Sequence, residues 1–407
     1  MVVTDRRAAK IAGGRSASLE SWPRHWSPPW DQGERSSMKY VLISVLAAGL
    51  AACSGNTGSA QAVLAQDQAV DAIAREWVEA HDFNGVIMSS APGLPPYQLV
   101  VGVADPDTAR SLTADTAFQT GSVEKYFAAL VVFALIDEGV LDIDTSISAY
   151  LPDYRSDTGD RLTLRHILSN QSGLPNDLLQ AFRRVANGEM EAVEAIRVPE
   201  AVSLYASGDL AFEPGEQFDY ALSNWLLVQY LLEEVTGLPY PQLRARHVFE
   251  PAQMRQSGGY LNDLSNTDPR VNDVAIGFDP GDPAGQGDYW SPSFFRGSYT
   301  TAADMIALER ALADGRVLSA ASLDLFRTVQ APQQAYAFGG RFRDWELCGE
   351  TRPVSTQSGS NGASNMTSAY DIQSGHAVAM LTNVDESQGE MFALSARLLE
   401  TMMGCGE

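Results

Sequence analysis

Residues 116–125 read Thr116-Ala117-Phe118-Gln119-Thr120-Gly121-Ser122-Val123-Glu124-Lys125 and lead into a long apolar segment. That segment runs from Ser122 to Glu138 and stops at Gly139, which is the pattern of a buried helix with a glycine stop signal. Ser122 and Lys125 stand at positions i and i+3 near its start and therefore share one face. We predict that the lysine amine approaches the serine hydroxyl.

This pair has the elements of nucleophilic catalysis. A serine becomes a nucleophile when a neighbouring base takes its proton. Burial in an apolar helix favours the neutral amine of Lys125, which can then act as that base. The backbone N–H of Ser122, at the helix N-terminus, can face a developing oxyanion. The same residues also fit a structural alternative, in which Ser122 caps the helix and Lys125 extends its amine towards solvent.

Outward from this helix, strands are predicted near both ends of the chain and helices between them. Periodicity and turn signals give helices and strands in this order: helix 67–80, strands 85–88 and 97–101, a mostly helical region at about 140–300 with a long loop at 263–296, helix 301–313, strands 336–338, 365–370 and 376–381, and helix 390–403. We therefore predict an α/β (α+β) fold with one sheet built from both chain ends and an inserted helical region. Residues 67–407 are predicted to form one domain.

The N-terminal part has the features of an export signal. Residues 1–37 show no helical or strand periodicity, and we interpret them as a non-native extension. Met38-Lys39 and the apolar run to Ala52 form a signal peptide by pattern. Cys53, directly after Leu-Ala-Ala, resembles a bacterial lipobox and predicts lipidation, although an ordinary cleaved signal is the alternative. Residues 53–66 are expected to be a flexible tether. We also expect the protein to be an exported periplasmic lipoprotein. Ser54, directly after the cysteine, indicates anchoring in the outer membrane by analogy with bacterial lipoproteins.

Charge and residue counts exclude several other classes. The formal net charge of −23 argues against nucleic acid or an anionic membrane surface as a partner. The five histidines are scattered and form no His-x-x-x-His pair, so neither a metal nor another cofactor is expected. Cys348 and Cys405 could pair in an oxidising compartment or remain two free buried thiols, because sequence cannot supply their separation. No pattern specifies an oligomeric state.

An ordered set of short blocks resembles the serine β-lactamase-related family, which includes class C β-lactamases, D,D-carboxypeptidases and related esterases. The resemblance covers roughly residues 82–395. Its blocks are residues 116–125, Glu138 to Asp144, Tyr150-Leu151-Pro152, Leu162 to Leu168, Ser172-Gly173-Leu174-Pro175, Pro214 to Tyr220, Val235-Thr236-Gly237 and Phe249-Glu250-Pro251. The resemblance implies an antiparallel sheet with flanking helices, of the β-lactamase and D,D-peptidase type, and a nucleophile at Ser122.

The family's second motif, Tyr-x-Asn, maps onto Tyr220 and Leu222. The resemblance implies that Tyr220 is the general base for Ser122 and the proton donor to the leaving group, helped by the nearby cation of Lys125. The alternative for Tyr220 is a core aromatic side chain with a bonded hydroxyl. Leu222 departs from the family pattern, because leucine cannot form the hydrogen bonds of the family's asparagine to substrate and lysine.

The family's third motif, Lys-Thr-Gly or His-x-Gly on a strand, maps onto Gln357-Ser358-Gly359-Ser360. Gly359 would permit close approach of backbone to substrate, and the N–H of Ser360 would be the second oxyanion donor. Gln357 replaces the family's cation at the substrate-binding position. An anionic substrate therefore loses charge assistance there.

These residues predict a serine hydrolase that forms an acyl-enzyme on an ester or amide of a small-molecule or peptide substrate. Leu222 and Gln357 favour an esterase or amidase with a neutral or apolar acyl group, while a peptidase acting on D-amino-acid peptides remains the second enzyme hypothesis. A true β-lactamase is a further alternative. A different class, a catalytically weak binding or scaffold protein with the same fold, is motivated by the two altered motifs.

Overall fold

The computed structural model describes residues 57–186, 189, 196–260, 273–281 and 297–405. The predicted extension 1–37, the signal peptide 38–52 and Cys53 lie outside these residues, as does most of the loop predicted at 263–296. Within the described chain, none of the helices combines the length and apolar character needed to cross a membrane.

The strands and helices of the described chain are numbered here in chain order. The strands are β1 Gly85–Ser90, β2 Tyr97–Val101, β3 Val103–Asp105, β4 Arg110–Ser111, β5 Phe118–Gln119, β6 Gly258–Tyr260, β7 Gly297–Thr300, β8 Phe342–Leu347, β9 Glu350–Asn361, β10 Ser364–Asp371 and β11 Ala377–Thr382. The helices are α1 Thr57–Ala80, α2 Val123–Asp137, α3 Ile147–Tyr150, α4 Ser156–Gly159, α5 Leu164–Leu168, α6 Asp177–Ala186, α7 Val198–Tyr205, α8 Leu222–Thr236, α9 Tyr240–Arg244, α10 Glu250–Ala252, α11 Ala302–Ala313, α12 Ala320–Arg327 and α13 Gln388–Met403. A π-helical turn, Ala245–Phe249, joins α9 to α10.

The main sheet has six antiparallel strands in the order β2-β1-β11-β10-β9-β8. Strand β1, from the start of the domain, pairs with β11 from its end, with Gly85 opposite Thr382 and Ser90 opposite Ala377. The prediction of one sheet built from both chain ends is confirmed. A smaller sheet has the strand order β5-β7-β6, and its strand β5 lies directly before the Ser122 helix in the chain.

Helices cover both faces of the main sheet. On one face, α1 and α13 pack through Trp77 and Leu398 against Ile87 and Val378 of the central strands. On the other face lies the larger core, which contains α2, α8 and α11. Every residue of α2 from Val123 to Leu135 is buried, so this helix runs through the core. Polar side chains on α2 must therefore find partners inside the protein.

The structure differs from the prediction at three places. Helix α1 begins at Thr57, so residues 57–66 of the predicted tether are helical; alanine, glutamine and leucine, which are strong helix formers, make up most of 60–66. The side chain of Gln66 also donates to the carbonyl of Thr401 on α13, at 3.2 Å. Residues 336–338, predicted as a strand, form only isolated bridges around Tyr336, while the hairpin β8–β9 was not predicted from periodicity.

A disulfide joins Cys348, in the turn between β8 and β9, to Cys405, just beyond α13, with the two Cα atoms 5.6 Å apart. It therefore ties the C-terminal helix to the edge of the main sheet. Closing a segment of 57 residues restricts the unfolded chain, and chain-entropy arguments give this constraint about 4 kcal/mol.

We expect the unlipidated chain, purified under oxidising conditions and denatured, to expose one thiol, Cys53, and to expose three after reduction. The double variant Cys348→Ser/Cys405→Ser should lose about 2–4 kcal/mol of unfolding free energy in urea. Cys53→Ser is the matched control and should leave that free energy unchanged. Three free thiols before reduction would contradict the disulfide.

Candidate active site

Ser122 occupies the N-cap position of α2, with φ −68° and ψ −12°. Lys125, one turn further along the helix, places its Nζ 3.3 Å from Ser122 Oγ, to which it donates. Lys125 is only 5% exposed, and within the described chain no carboxylate forms an ion pair with it. The serine hydroxyl and the lysine amine therefore form a direct pair, as the spacing predicts.

Tyr220 lies just before α8, and its ring centroid is 5.0 Å from Lys125 Nζ. The side chain of Asn176 fixes this segment, because its Nδ2 donates to the Tyr220 carbonyl at 2.9 Å and its Oδ1 accepts from Leu222 N–H at 2.8 Å. The lysine amine thus stands between the Ser122 hydroxyl and the Tyr220 ring. Among these three side chains, all within the described residues, the Lys125–Ser122 contact is the one hydrogen bond.

The turn before Ser122 packs backbone against backbone with strand β9. Gly121 has φ +50°, and a Cβ built on it would lie 2.7 Å from Ser360 N. A Cβ on Gly359 would collide with the Thr120 carbonyl oxygen and lie 3.0 Å from Ser122 N. The structure thus brings the backbone amides of Ser122 and Ser360, the two predicted oxyanion donors, to the same place. Gln388 of α13 supports the strand by donating to the Gly359 carbonyl at 2.9 Å.

A cavity of about 330 Å³ opens beside Ser122. Ser122, Lys125, Tyr220 and Ser360 all line it. Apolar side chains of α2, α6 and α8 also line it, namely Ala128, Leu179, Phe182, Leu222 and Trp225, together with the polar side chains of Thr120, Glu124, Gln229, Tyr240 and Asn361. Leu222 therefore lines the same cavity as Ser122.

Gln357 has different surroundings. It is 3% exposed, and its carboxamide bonds the backbone of Arg341 on both sides: Nε2 donates to Arg341 O at 3.2 Å, and Oε1 accepts from Arg341 N–H at 3.3 Å. Nε2 also donates to Ser355 Oγ at 2.9 Å. The structure thus brings Ser122, Lys125, Tyr220, Leu222 and Ser360 to one cavity, with Gly359 packed behind them, while the Gln357 side chain holds a neighbouring segment.

A buried charge network, which sequence reasoning missed, lies next to Ser122 in the first turn of α2. Glu124, between Ser122 and Lys125, forms an ion pair with the fully buried Arg244 of α9. Tyr240 and Ser298 also donate to its carboxylate. Burial and the neighbouring carboxylate raise the pKa of Tyr240 far above its ordinary value, so Tyr240 stays a neutral donor. The network fixes the first turn of α2 to α9 and β7.

A glutamate at the start of a helix that is apolar over most of its length was the one sequence signal for this network, because a buried charge needs a partner. Arg244 stands 120 positions away and no periodicity connects the two residues. Removing one member of such a pair leaves an uncompensated buried charge, which typically costs about 3–5 kcal/mol.

Histidines and acidic residues show no metal-binding arrangement in the part of the chain that the structure describes. His166 instead packs at the start of α5, where its Nδ1 lies 3.2 Å from Thr163 Oγ1. Burial lowers the pKa of His166, which keeps the ring neutral near pH 7.

A sequence profile of the family described as Beta-lactamase matches residues 69–402. The chain belongs to the β-lactamase family. The predicted family resemblance is thereby confirmed, and the match contains all the residues assembled around the cavity.

Curated relatives carry several different names. The chain is 27% identical over 202 residues to penicillin-binding protein 4* of Bacillus subtilis, covering 49% of this chain and 43% of the relative. It is 29% identical over 170 residues to esterase EstB of Burkholderia gladioli, covering 40% and 43%. It is 28% identical over 214 residues to a D-aminopeptidase of Cereibacter sphaeroides, covering 51% and 39%. The matched part thus spans less than half the length of each of these relatives.

Solved structures show the same fold over most of the chain. A penicillin-binding protein from Bacillus halodurans superposes with a TM-score of 0.66 at 21% identity, covering 80% of this chain and 97% of that one. A D-amino acid amidase from Ochrobactrum anthropi gives a TM-score of 0.65 at 19% identity, covering 83% and 99%. The predicted fold class, an antiparallel sheet with flanking helices of the β-lactamase type, is confirmed.

We expect Gly359→Ala to reduce the rate of acylation of Ser122 by about 100-fold, because the new methyl group separates β9 from the Ser122 turn and a shift of about 1 Å is enough for such a loss. The measurement is the rate of covalent labelling by a fluorophosphonate. Gly389→Ala is the matched control, since its Cβ would make only an ordinary 3.5 Å contact in α13. Equal labelling of both variants would contradict the close approach.

Proposed function

We propose that this protein is a serine hydrolase that cleaves an ester or amide through an acyl-enzyme on Ser122. The observation that carries the proposal is the 3.3 Å contact between Lys125 Nζ and Ser122 Oγ, placed beside the backbone amides of Ser122 and Ser360. A paired nucleophile and base next to two potential oxyanion donors is the arrangement that acyl transfer requires.

In the proposed reaction, Ser122 Oγ forms a bond to the substrate carbonyl carbon while its proton passes to the Lys125–Tyr220 pair. The carbonyl oxygen gains the negative charge and is held by the N–H groups of Ser122 and Ser360. The carbon then loses its alcohol or amine leaving group, which takes up the proton from the same pair. Water repeats the sequence on the acyl-enzyme, releasing the acid and restoring Ser122.

The cavity supports a neutral or apolar acyl group. Leu179, Phe182, Leu222 and Trp225 present apolar surface to the reacting centre, and Leu222 stands where the family has a hydrogen-bonding asparagine. We therefore favour an esterase-like activity on small-molecule esters. A second candidate, cleavage of D-amino-acid peptides or amides, is supported by the relatives named D-aminopeptidase and D-amino acid amidase.

We also propose that the protein is exported and is held at a membrane through a lipid on Cys53. By analogy with bacterial lipoproteins that have serine after the cysteine, Ser54 favours the outer membrane. The signal pattern at 38–52 supports this location, and a Cys348–Cys405 disulfide suits an oxidising compartment.

Ser122→Ala should abolish labelling by a fluorophosphonate and lower hydrolysis of p-nitrophenyl butyrate at least about 1,000-fold, since the nucleophile is lost. Ser203→Ala, on the exposed side of α7, is the control and should keep both. Fluorophosphonate labelling without labelling by a fluorescent penicillin would support the esterase; labelling by both would favour a penicillin-recognising enzyme. No Ser122-dependent label from either probe would overturn the enzyme proposal in favour of a binding or scaffold protein.

Cells given an alkyne-tagged fatty acid should produce tagged wild-type protein in the membrane fraction, because Cys53 is the expected acceptor. Cys53→Ser should carry no tag and keep its uncleaved signal. Cys405→Ser, which leaves Cys53 intact, should still be tagged. A tag on Cys53→Ser, or none on the wild type, would count against the lipid anchor.

A further inference from the structure

Arg341 lies beside the proposed proton-transfer pair. Its guanidinium carbon is 6.0 Å from the ring centroid of Tyr220 and 5.1 Å from that of Tyr336. Lys125 Nζ lies 5.0 Å from the same Tyr220 centroid. Among the described residues, no carboxylate forms an ion pair with Arg341, so its positive charge is not neutralised by an acidic partner. Tyr220 therefore has the Lys125 amine and the Arg341 guanidinium close to its ring.

The position of Arg341 is set by Gln357. Both backbone groups of Arg341 are bonded by the Gln357 carboxamide, and Thr356 N–H also donates to the Arg341 carbonyl at 2.9 Å. Gln357 is itself held through Ser355, whose hydroxyl donates to the buried Glu309 at 2.7 Å. A chain of buried hydrogen bonds thus fixes the backbone of Arg341, whose guanidinium carries the positive charge.

The neighbouring Tyr336 does not form a second phenolate beside Arg341. Tyr336 is fully buried, and burial raises its pKa well above the ordinary value, so Tyr336 remains a neutral phenol. Its ring meets Tyr220 edge-on, with the centroids 6.1 Å apart and the planes at 89°. Tyr220, in contrast, lines the cavity. Of the two phenols, Tyr220 is the one placed to exchange a proton with the reacting groups.

We propose that Arg341 is a positioning residue. Its guanidinium supplies, next to Tyr220, the positive charge that the family's third motif carries and that Gln357 cannot carry. The inference rests on the proposed function. The Arg341 guanidinium carbon, 6.0 Å from the Tyr220 ring centroid, places a positive charge beside the negative charge that develops on Tyr220 during proton transfer, and opposite charges at this separation attract. Gln357 then holds the Arg341 backbone in the position from which the guanidinium reaches Tyr220.

The test compares four variants of the full chain, with p-nitrophenyl butyrate as the probe. Arg341→Gln should lower kcat by about 10- to 100-fold, a partial loss of general acid–base catalysis, while KM changes less than about threefold. Arg341→Lys should recover most of that loss because the charge returns. Arg341→Gln/Gln357→Lys should also recover part of it, because the cation is then supplied from β9.

Arg343→Gln is the matched control. Arg343 stands two residues further along, where it donates to Thr356 Oγ1 at 2.8 Å and lies over Phe392 of α13 instead of Tyr220. It should change kcat by less than about twofold, since it lies outside the proton-transfer pair.

Two results would overturn the inference. One is a kcat for Arg341→Gln equal to that of Arg343→Gln. The other is a loss in Arg341→Gln that neither Arg341→Lys nor the double variant recovers in folded protein, because Arg341 would then act through packing alone. Either result leaves the proposed function standing as long as the wild type labels at Ser122. A wild type without that label would instead remove the proposed function itself.

Discussion

The site depends on one close approach of backbone to backbone, between the Gly121–Ser122 turn and the Gly359–Ser360 segment of β9. At this distance neither Gly121 nor Gly359 has space for a Cβ. The approach joins two parts of the chain more than 230 residues apart and brings together the amides that could hold an oxyanion. Since β9 is an inner strand of the main sheet, the position of Ser122 depends on the sheet as a whole.

The second constraint is the complete burial of α2. A buried helix places its first turn rigidly, but each polar side chain on that turn then needs a partner. Glu124 finds Arg244, Tyr240 and Ser298, whereas Lys125 meets the Ser122 hydroxyl and the face of Tyr220. Glu124, which is ion-paired, and Lys125, which has no carboxylate partner among the described residues, are adjacent in sequence. The ion pair of Glu124 therefore anchors the first turn of α2, from which the Lys125 amine contacts the Ser122 hydroxyl.

The sequence was most informative about residues that belong to a short local motif or to a strand or helix with a regular pattern. The Ser122–Lys125 pair was predicted from its spacing, Tyr220 from the family resemblance, and the sheet from strands at both ends of the chain. The hairpin β8–β9 was missed because β9 carries Pro353 and a run of Ser, Thr, Gln and Gly instead of alternating apolar residues. The Glu124–Arg244 pair and the Gln357–Arg341 contacts could not be predicted, because each joins distant positions through side chains that have no period.

The two departures from the family pattern have different physical meanings. Leu222 faces the cavity and changes what the cavity can hold, since an apolar wall cannot satisfy a polar substrate group that is removed from water. Gln357 is buried behind the site and bonded to the backbone of Arg341. A lysine there could not replace both hydrogen bonds, because its ammonium donates but does not accept. Gln357 is therefore better understood as a support for Arg341 than as a lost substrate contact, and Tyr220 keeps the Lys125 amine and the Arg341 guanidinium beside its ring without a positive charge at position 357.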